Sequence, residues 1–219
     1  MLEIQGRSCR GKLQKLVLQS TFNAYFSFEC RNFGQVKESI SQDHKPSELS
    51  EKNRIIKAGG KVYQSNAVNP NGIRGAPPLL GPMRVLPGRL SVSRTFGDCL
   101  AKMEKHGGNP KCIIAEADVF TVPIGEDLDF ILIGSDGIFD RVSTEDTVQA
   151  VIDEARQKTE AMKVSARHNQ GSFEHVAQVV GESVDKVMSL AMELESMDNL
   201  SVVIISFKNF TKFLESIEP

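Results

Sequence analysis

The run Phe130-Ile131-Leu132-Ile133-Gly134-Ser135-Asp136-Gly137-Ile138-Phe139-Asp140 constrains this chain more than any other stretch. Four consecutive apolar residues lead towards a carboxylate, a glycine follows it, and a second carboxylate stands four positions later. A short apolar run bounded by a turn signal predicts a strand buried on both faces. Such a strand holds its last side chain rigidly at the edge of the core, within reach of a metal ion or substrate. The glycine lets the backbone turn sharply and brings no side chain to crowd the carboxylate. Asp-Gly is also a common turn signal. On this stretch alone, a plain strand-and-turn and a metal-facing carboxylate both stand.

At 219 residues the chain is long enough to bury a sizeable core, and one domain is the default. Its 26 Lys and Arg against 28 Asp and Glu leave a net charge of −2, so no nucleic-acid or membrane partner is expected. The cysteines stand at 9, 30, 99 and 112 with no close pair, which supplies neither a zinc knuckle nor a disulfide framework. No apolar run approaches the ~18 residues needed to span a bilayer, and no secretory segment follows Met1. An Arg-rich, acid-poor start admits a transit peptide, but Glu3 and weak periodicity argue against one. The expectation is a soluble intracellular protein, cytoplasmic or nuclear.

Residues 1–38 are read as a divergent N-terminal segment in which Val17 to Phe28 supply a strand or two. A helix is predicted over 46–60: Pro46 and Ser47 open it, Glu48 and Glu51 lie in its first turns, and Gly59-Gly60 closes it. Val62 to Gly88, rich in Asn, Pro and Gly, reads as a long loop. Leu90 to Arg94 alternates like a half-buried strand, and 112–122 like an edge strand. After the buried strand at 130–135 a helix starts near Thr144, with Ser143 as its N-cap. A polar linker is assigned to 156–172 and a second helix to 173–194, followed by a strand from Leu200 to Phe207 and a tail at 209–219.

Two apolar strands each carry an Asp at one end, Asp136 after the first and Asp198 before the second. If they are adjacent and antiparallel, both carboxylates fall on one side of the sheet. Carboxylates without clustered Cys or His suit hard divalent cations, Mg2+ or Mn2+, rather than zinc. Such a cation can activate water for attack on phosphorus, which points to hydrolysis of a phosphate ester.

From Gln42 to Phe207 the sequence resembles the metal-dependent protein serine/threonine phosphatases of type 2C, the PPM family. Four blocks carry the resemblance in order: Asp43-His44-Lys45-Pro46 with Ala58-Gly59-Gly60; Gly88-Arg89-Leu90-Ser91-Val92-Ser93-Arg94-Thr95-Phe96-Gly97-Asp98; Gly134-Ser135-Asp136-Gly137-Ile138-Phe139-Asp140; and Asp198-Asn199-Leu200-Ser201-Val202-Val203. The resemblance implies an α+β fold, an α/β/β/α sandwich of two antiparallel sheets flanked by helices. It implies that Asp136 and Asp198 ligate the catalytic metal pair and that Asp140 helps hold a third, looser metal. It implies a substrate-lining flap at about 62–88, within a phosphatase domain part spanning 39–208. Arg94 is a candidate phosphate contact; a structural ion pair, with Asp98 as the candidate partner, is the competing role.

The same resemblance exposes a gap. The family's acidic pair, its Asp-Gly-His-Gly-Gly metal motif and its phosphate-gripping Arg have no counterpart here, and the first Asp of the chain is Asp43. The expected function is hydrolysis of phosphoserine and phosphothreonine esters by a metal-activated water, with this chain supplying the C-terminal part and little activity alone. The alternative is a non-catalytic, pseudophosphatase-like protein that binds a phosphoprotein partner, and a fragmentary gene product also remains open. Of the remaining residues, His44 reads as a surface or capping group, His106, His168 and His175 as dispersed polar residues, and Asp118, Asp127 and Asp129 as solvated turn charges.

Overall fold

The computed structural model describes residues 8–9, 12–13, 15–20, 26–31, 36–67, 79–164 and 172–217. Two compact units divide them, one built mainly from Asp43–Asp118 and the other mainly from Ala24–Gln42 and Val119–Pro219. Among the described residues the strands are, in chain order, β1 (Ser8–Cys9), β2 (Lys12–Leu13), β3 (Lys15–Ser20), β4 (Phe26–Arg31), β5 (Val36–Ser39), β6 (Lys61–Ala67), β7 (Leu79–Leu86), β8 (Asp118–Pro123), β9 (Leu128–Gly134) and β10 (Val202–Ser206). The helices are α1 (Leu49–Lys57), α2 (Cys99–Lys102), α3 (Asp136–Phe139), α4 (Thr144–Val164), α5 (Phe173–Glu193) and α6 (Lys208–Ser216). No helix among the described residues is long and apolar enough to cross a membrane.

The unit that carries Asp136 is organised on a four-stranded sheet in the order β10-β9-β4-β5, antiparallel throughout. β9 is central and all seven of its residues are buried, which explains its unbroken apolar run. Phe130 and Leu132 join a core with Ile138, α4 (Val148, Val151, Ile152), α5 (Val179, Val187, Ala191) and α6 (Phe210, Phe213, Leu214). Ile131 and Ile133, displaced by one residue and therefore on the opposite face, pack with Val122 of β8 in a second cluster. The mixed α/β architecture with antiparallel sheets and flanking helices is the one expected. Ser143 caps α4 as anticipated, its Oγ accepting from the Asp146 amide at 3.1 Å and donating to Asp146 Oδ2 at 2.7 Å.

In the other unit α1 packs its buried Ile55 with Val85, Ala101, Cys112 and Ile113. Gly59, with φ of 83°, closes α1 in the left-handed conformation that glycine adopts without strain. β6 and β7 form an antiparallel hairpin, Lys61 opposite Leu86 and Ala67 opposite Leu79.

Several expectations are corrected. Residues 62–88 are not a structureless loop; both ends of that stretch are strands. Gly81 and Pro82 masked the second, but they sit at a register irregularity between Gln64 and Asn66, where a missing N–H and an absent side chain are tolerated. Ser65 Oγ donates to the Pro82 carbonyl there at 2.9 Å. The tip of the excursion, 68–78, lies outside the described residues. Leu90–Arg94 forms no strand beyond a single parallel bridge from Arg94 to Ile114, and the edge strand starts at Asp118 rather than 112. The assigned linker at 156–172 is helical to Val164, because Ala155 and Thr159 continue the buried stripe of α4. The assigned tail holds α6, whose Phe210, Phe213, Leu214 and Ile217 follow the i, i+3, i+4, i+7 pattern of a core-facing helix. Of the stretch Val17–Phe28, residues 21–25 lie outside the described residues, and β3 and β4 supply the expected strands on either side.

Candidate functional site

The antiparallel pairing of β9 with β10 puts Val202 opposite Gly134. The chain leaves β9 two residues before Asp136 and enters β10 four residues after Asp198, so both carboxylates fall at the same end of the ladder. Asp136 opens α3 and is half-buried; Asp198 is exposed in the turn before β10; Asp140 is exposed at the C-terminus of α3. Each of the first two accepts the amide of the next residue, Asp136 Oδ1 from Gly137 N at 3.1 Å and Asp198 Oδ1 from Asn199 N at 2.7 Å. Gly137 is the point of closest approach between the turns: a Cβ there would lie 2.5 Å from the Asn199 carbonyl oxygen. A side chain at this position would push the two carboxylates apart.

The site is electrostatically unfinished. Burial raises the Asp136 carboxyl above its ordinary value, the charge of Asp198 raises it further, and Asp140 adds to the shift, while the Gly137 amide pulls the other way. Among the described residues none of the three carboxylates makes an ion pair. An oxygen-only set of crowded, uncompensated carboxylates fits a hard divalent cation. The set is also incomplete, since among the described residues no group of three His, Cys, Asp or Glu side chains is gathered so as to hold a metal ion. Asp136 and Asp198 would be its principal ligands and Asp140 an outlying one, with water completing the shell.

Burial together with this repulsion has a measurable consequence in metal-free protein. A carboxyl with a raised folded-state pKa binds more protons in the native state, so stability falls as pH rises from the unfolded pKa through the folded one, and the cost is full above that window. Asp136→Asn removes the charge. In EDTA at pH 7 it is expected to raise the thermal midpoint by about 1–3 °C. A lower midpoint in scanning calorimetry would show that Asp136 is a structural carboxylate.

Arg94 lies in the other unit and is held by carboxylates. Its Nη2 and Nε donate to Glu51 Oε1 at 2.8 and 3.2 Å, and its Nη1 to Asp118 Oδ1 at 2.8 Å and the Glu116 carbonyl at 3.3 Å. Four of its five N–H donors are thus engaged within the fold. The ion-pair partners are Glu51 and Asp118, not Asp98, whose backbone adopts a left-handed conformation at φ 46°. Glu51, only 3% exposed, also accepts from Arg54 Nη2 at 2.6 Å and from Ser93 Oγ at 2.5 Å. Burial alone would push the Glu51 carboxyl up, but the hydrogen bonds from Arg94, Arg54 and Ser93 outweigh it and bring it down to about 2.

His44 and Asp118 are corrections to the sequence reading. His44 is buried, not a surface group, and its Nε2 lies 2.8 Å from Asp118 Oδ2. Burial raises the Asp118 carboxyl, but the hydrogen bonds from His44 and Arg94 bring it below its ordinary value. An ionised Asp118 accepts, so Nε2 is the donor of this pair. Asp129 is likewise no solvated turn charge: it is fully buried and accepts from Asn209 Nδ2 at 2.5 Å. His175, read as a dispersed polar residue, is buried, its Nε2 3.5 Å from Thr159 Oγ1. Sequence reasoning missed Glu51 and Ser93 of this network; an acidic residue on the apolar side of α1, one turn before Ile55, was the available signal.

Comparisons with known proteins agree with the fold. The sequence matches the family Protein phosphatase 2C over residues 30–173. The chain belongs to the protein phosphatase 2C family. It is 29% identical over 182 residues to protein phosphatase 2C 50 of Oryza sativa subsp. japonica, which covers 82% of this chain and 40% of that relative. Among solved structures it is similar to a C. elegans sex determining protein, with a TM-score of 0.61 at 22% identity over 94% of this chain and 39% of that one. A phosphatase from a pathogenic strain of Toxoplasma gondii gives a TM-score of 0.58 at 24% identity, over 89% of this chain and 48% of that one. The chain spans less than half the length of each of these proteins.

Proposed function

We propose that this chain carries one flank of the metal centre of a type 2C protein serine/threonine phosphatase, with Asp136 and Asp198 as ligands of Mg2+ or Mn2+ and Asp140 as an outer carboxylate. The observation that carries this reading is the antiparallel pairing of β9 with β10, which brings Asp136 and Asp198 to the same end of the ladder. A divalent cation bound there supplies charge neutralisation, Lewis acidity towards a phosphoryl group, and an acidified water. The chain's own residues would hold and orient the cation, Asp136 from the rigid end of β9 and Asp198 from the turn that enters β10. The substrate class is a phosphoserine or phosphothreonine protein.

The opposing flank has no counterpart in these 219 residues, which contain no Asp-Gly-His sequence. Two or three carboxylates with a shell otherwise of water bind a divalent ion weakly, and a water between two metals needs both. We therefore expect weak manganese binding and little or no turnover of a phosphopeptide by residues 1–219 alone. Isothermal titration with Mn2+ is the test: binding that disappears in Asp136→Asn supports the assignment, and silence from the wild-type protein removes the metal role. Robust manganese-dependent hydrolysis that vanishes in Asp136→Asn would show instead that this flank suffices. A protein that binds no metal yet retains a phosphoprotein partner fits the non-catalytic reading, which the missing motifs favour.

A further inference from the structure

The two turns bearing Asp136 and Asp198 are tied to each other by two serine hydroxyls, one from each side. Ser135 Oγ donates to the Asn199 carbonyl at 2.9 Å and accepts from the Ser201 amide at 3.1 Å, while its own amide donates to the Ser201 carbonyl at 2.9 Å. From the opposite turn, Ser196 Oγ donates to the Gly137 carbonyl at 2.7 Å. Ser135 immediately precedes one carboxylate, and Ser196 lies two residues before the other. Each hydroxyl is therefore anchored beside one carboxylate and fastened to backbone beside the other. The ladder of β9 and β10 has ended at the Gly134–Val202 pair, so beyond it these bonds and the contact at Gly137 join the two turns.

We propose that Ser135 and Ser196 are positioning residues that fix the separation of Asp136 and Asp198 and thereby set the affinity of the site for a divalent cation. The proposal rests on the metal-binding reading above. Two carboxylates of like charge repel, and the Asp198 turn is exposed, so without a tie it relaxes away from α3. An incoming cation then has to gather its ligands at the expense of that freedom, which weakens binding. Partners that orient metal ligands from behind are typically worth 10–100-fold in metal affinity. A hydroxyl serves here better than a charged group, because it crosses between backbones without adding a competing cation.

The test is a manganese titration of the full 219-residue chain, read by calorimetry, for the wild-type protein, Ser135→Ala, Ser196→Ala, Ser196→Thr and Ser183→Ala. Ser183 bonds its hydroxyl within α5, to the Val179 carbonyl at 2.8 Å, and controls for loss of a buried hydroxyl outside both turns. Melting curves in EDTA report the stability of each variant. The expected result is roughly tenfold or greater weakening in each of the two brace alanine variants, wild-type affinity in Ser183→Ala, and recovery in Ser196→Thr. If Ser135→Ala does not fold, the half-buried Ser196 pair of variants decides alone. Unchanged affinity in the alanine variants of a manganese-binding chain overturns the positioning role and leaves the metal site standing. Affinity that falls equally in Ser183→Ala, in step with stability, also overturns it. A wild-type chain that binds no manganese overturns the metal reading and this inference together.

Discussion

Glu51→Gln is expected to destabilise the protein by about 3–5 kcal/mol at pH 7, the cost of breaking a buried charge network by removing one partner. Glu51 sits between two guanidinium groups, Arg94 Nη2 at 2.8 Å and Arg54 Nη2 at 2.6 Å. Neutralising it removes the carboxylate shared by Arg54 and Arg94, and among the described residues only Arg94 keeps a carboxylate partner, Asp118. The effect also has a pH signature. The folded-state carboxyl is depressed from 4.5 to about 2, so its contribution is fully present above the unfolded value and is lost as pH falls through the folded one. At 1.36 kcal/mol per unit that contribution is roughly 3 kcal/mol. Urea unfolding of both proteins between pH 2 and 7 checks it: the gap should be widest above pH 4.5 and close towards pH 2. A gap independent of pH would mean that packing, not ionisation, accounts for the loss.

How much of this was legible in the sequence depends on the range of the interaction. β9 was readable because burial on both faces leaves an unbroken apolar run, and α5 because its buried residues recur at helical spacing. The Asp136 and Asp198 placement followed once those strands were taken as antiparallel neighbours. The hairpin of β6 and β7 was hidden by Gly81 and Pro82, which argue against a strand until the register irregularity opposite them is known. The helix at 208–216 had its period in plain view at Phe210, Phe213 and Leu214, but its short length and terminal position made it read as a tail.

The pairings of the charge network were not legible. His44 meets Asp118 across 74 positions and Arg94 meets Glu51 across 43, and no local pattern announces such pairs. The motif blocks 43–46 and 88–98 nonetheless contain three of its members, His44, Ser93 and Arg94. The serine tie between the turns is equally long-range, with Ser135 reaching Asn199 across 64 positions. What the sequence carries locally is periodicity and turn chemistry; the pairings that assemble a site exist only once the chain is folded.

Phe210→Ala should produce a loss of similar size in the other unit, about 3–5 kcal/mol. Phe210 is fully buried; its ring meets Phe130 edge-on, with centroids 5.7 Å apart at 80°, and Phe213 at 6.0 Å. Truncation removes the transfer term of a large side chain, leaves a cavity against the central strand, and forfeits an aromatic pair worth about 0.5–1.5 kcal/mol beyond area. For a chain of this length, each kcal/mol corresponds to about 2–4 °C in thermal midpoint. The matched control is Phe173→Ala at the start of α5, where the ring is 82% exposed and the change should stay within about 0.5 kcal/mol. Amide exchange adds a spatial readout: protection in Phe210→Ala should fall in α6 and in β9 around Phe130. Equal melting of the two alanine variants would detach α6 from the core. Concentrated loss at Phe130 would tie the last helix of the chain to the strand that presents Asp136.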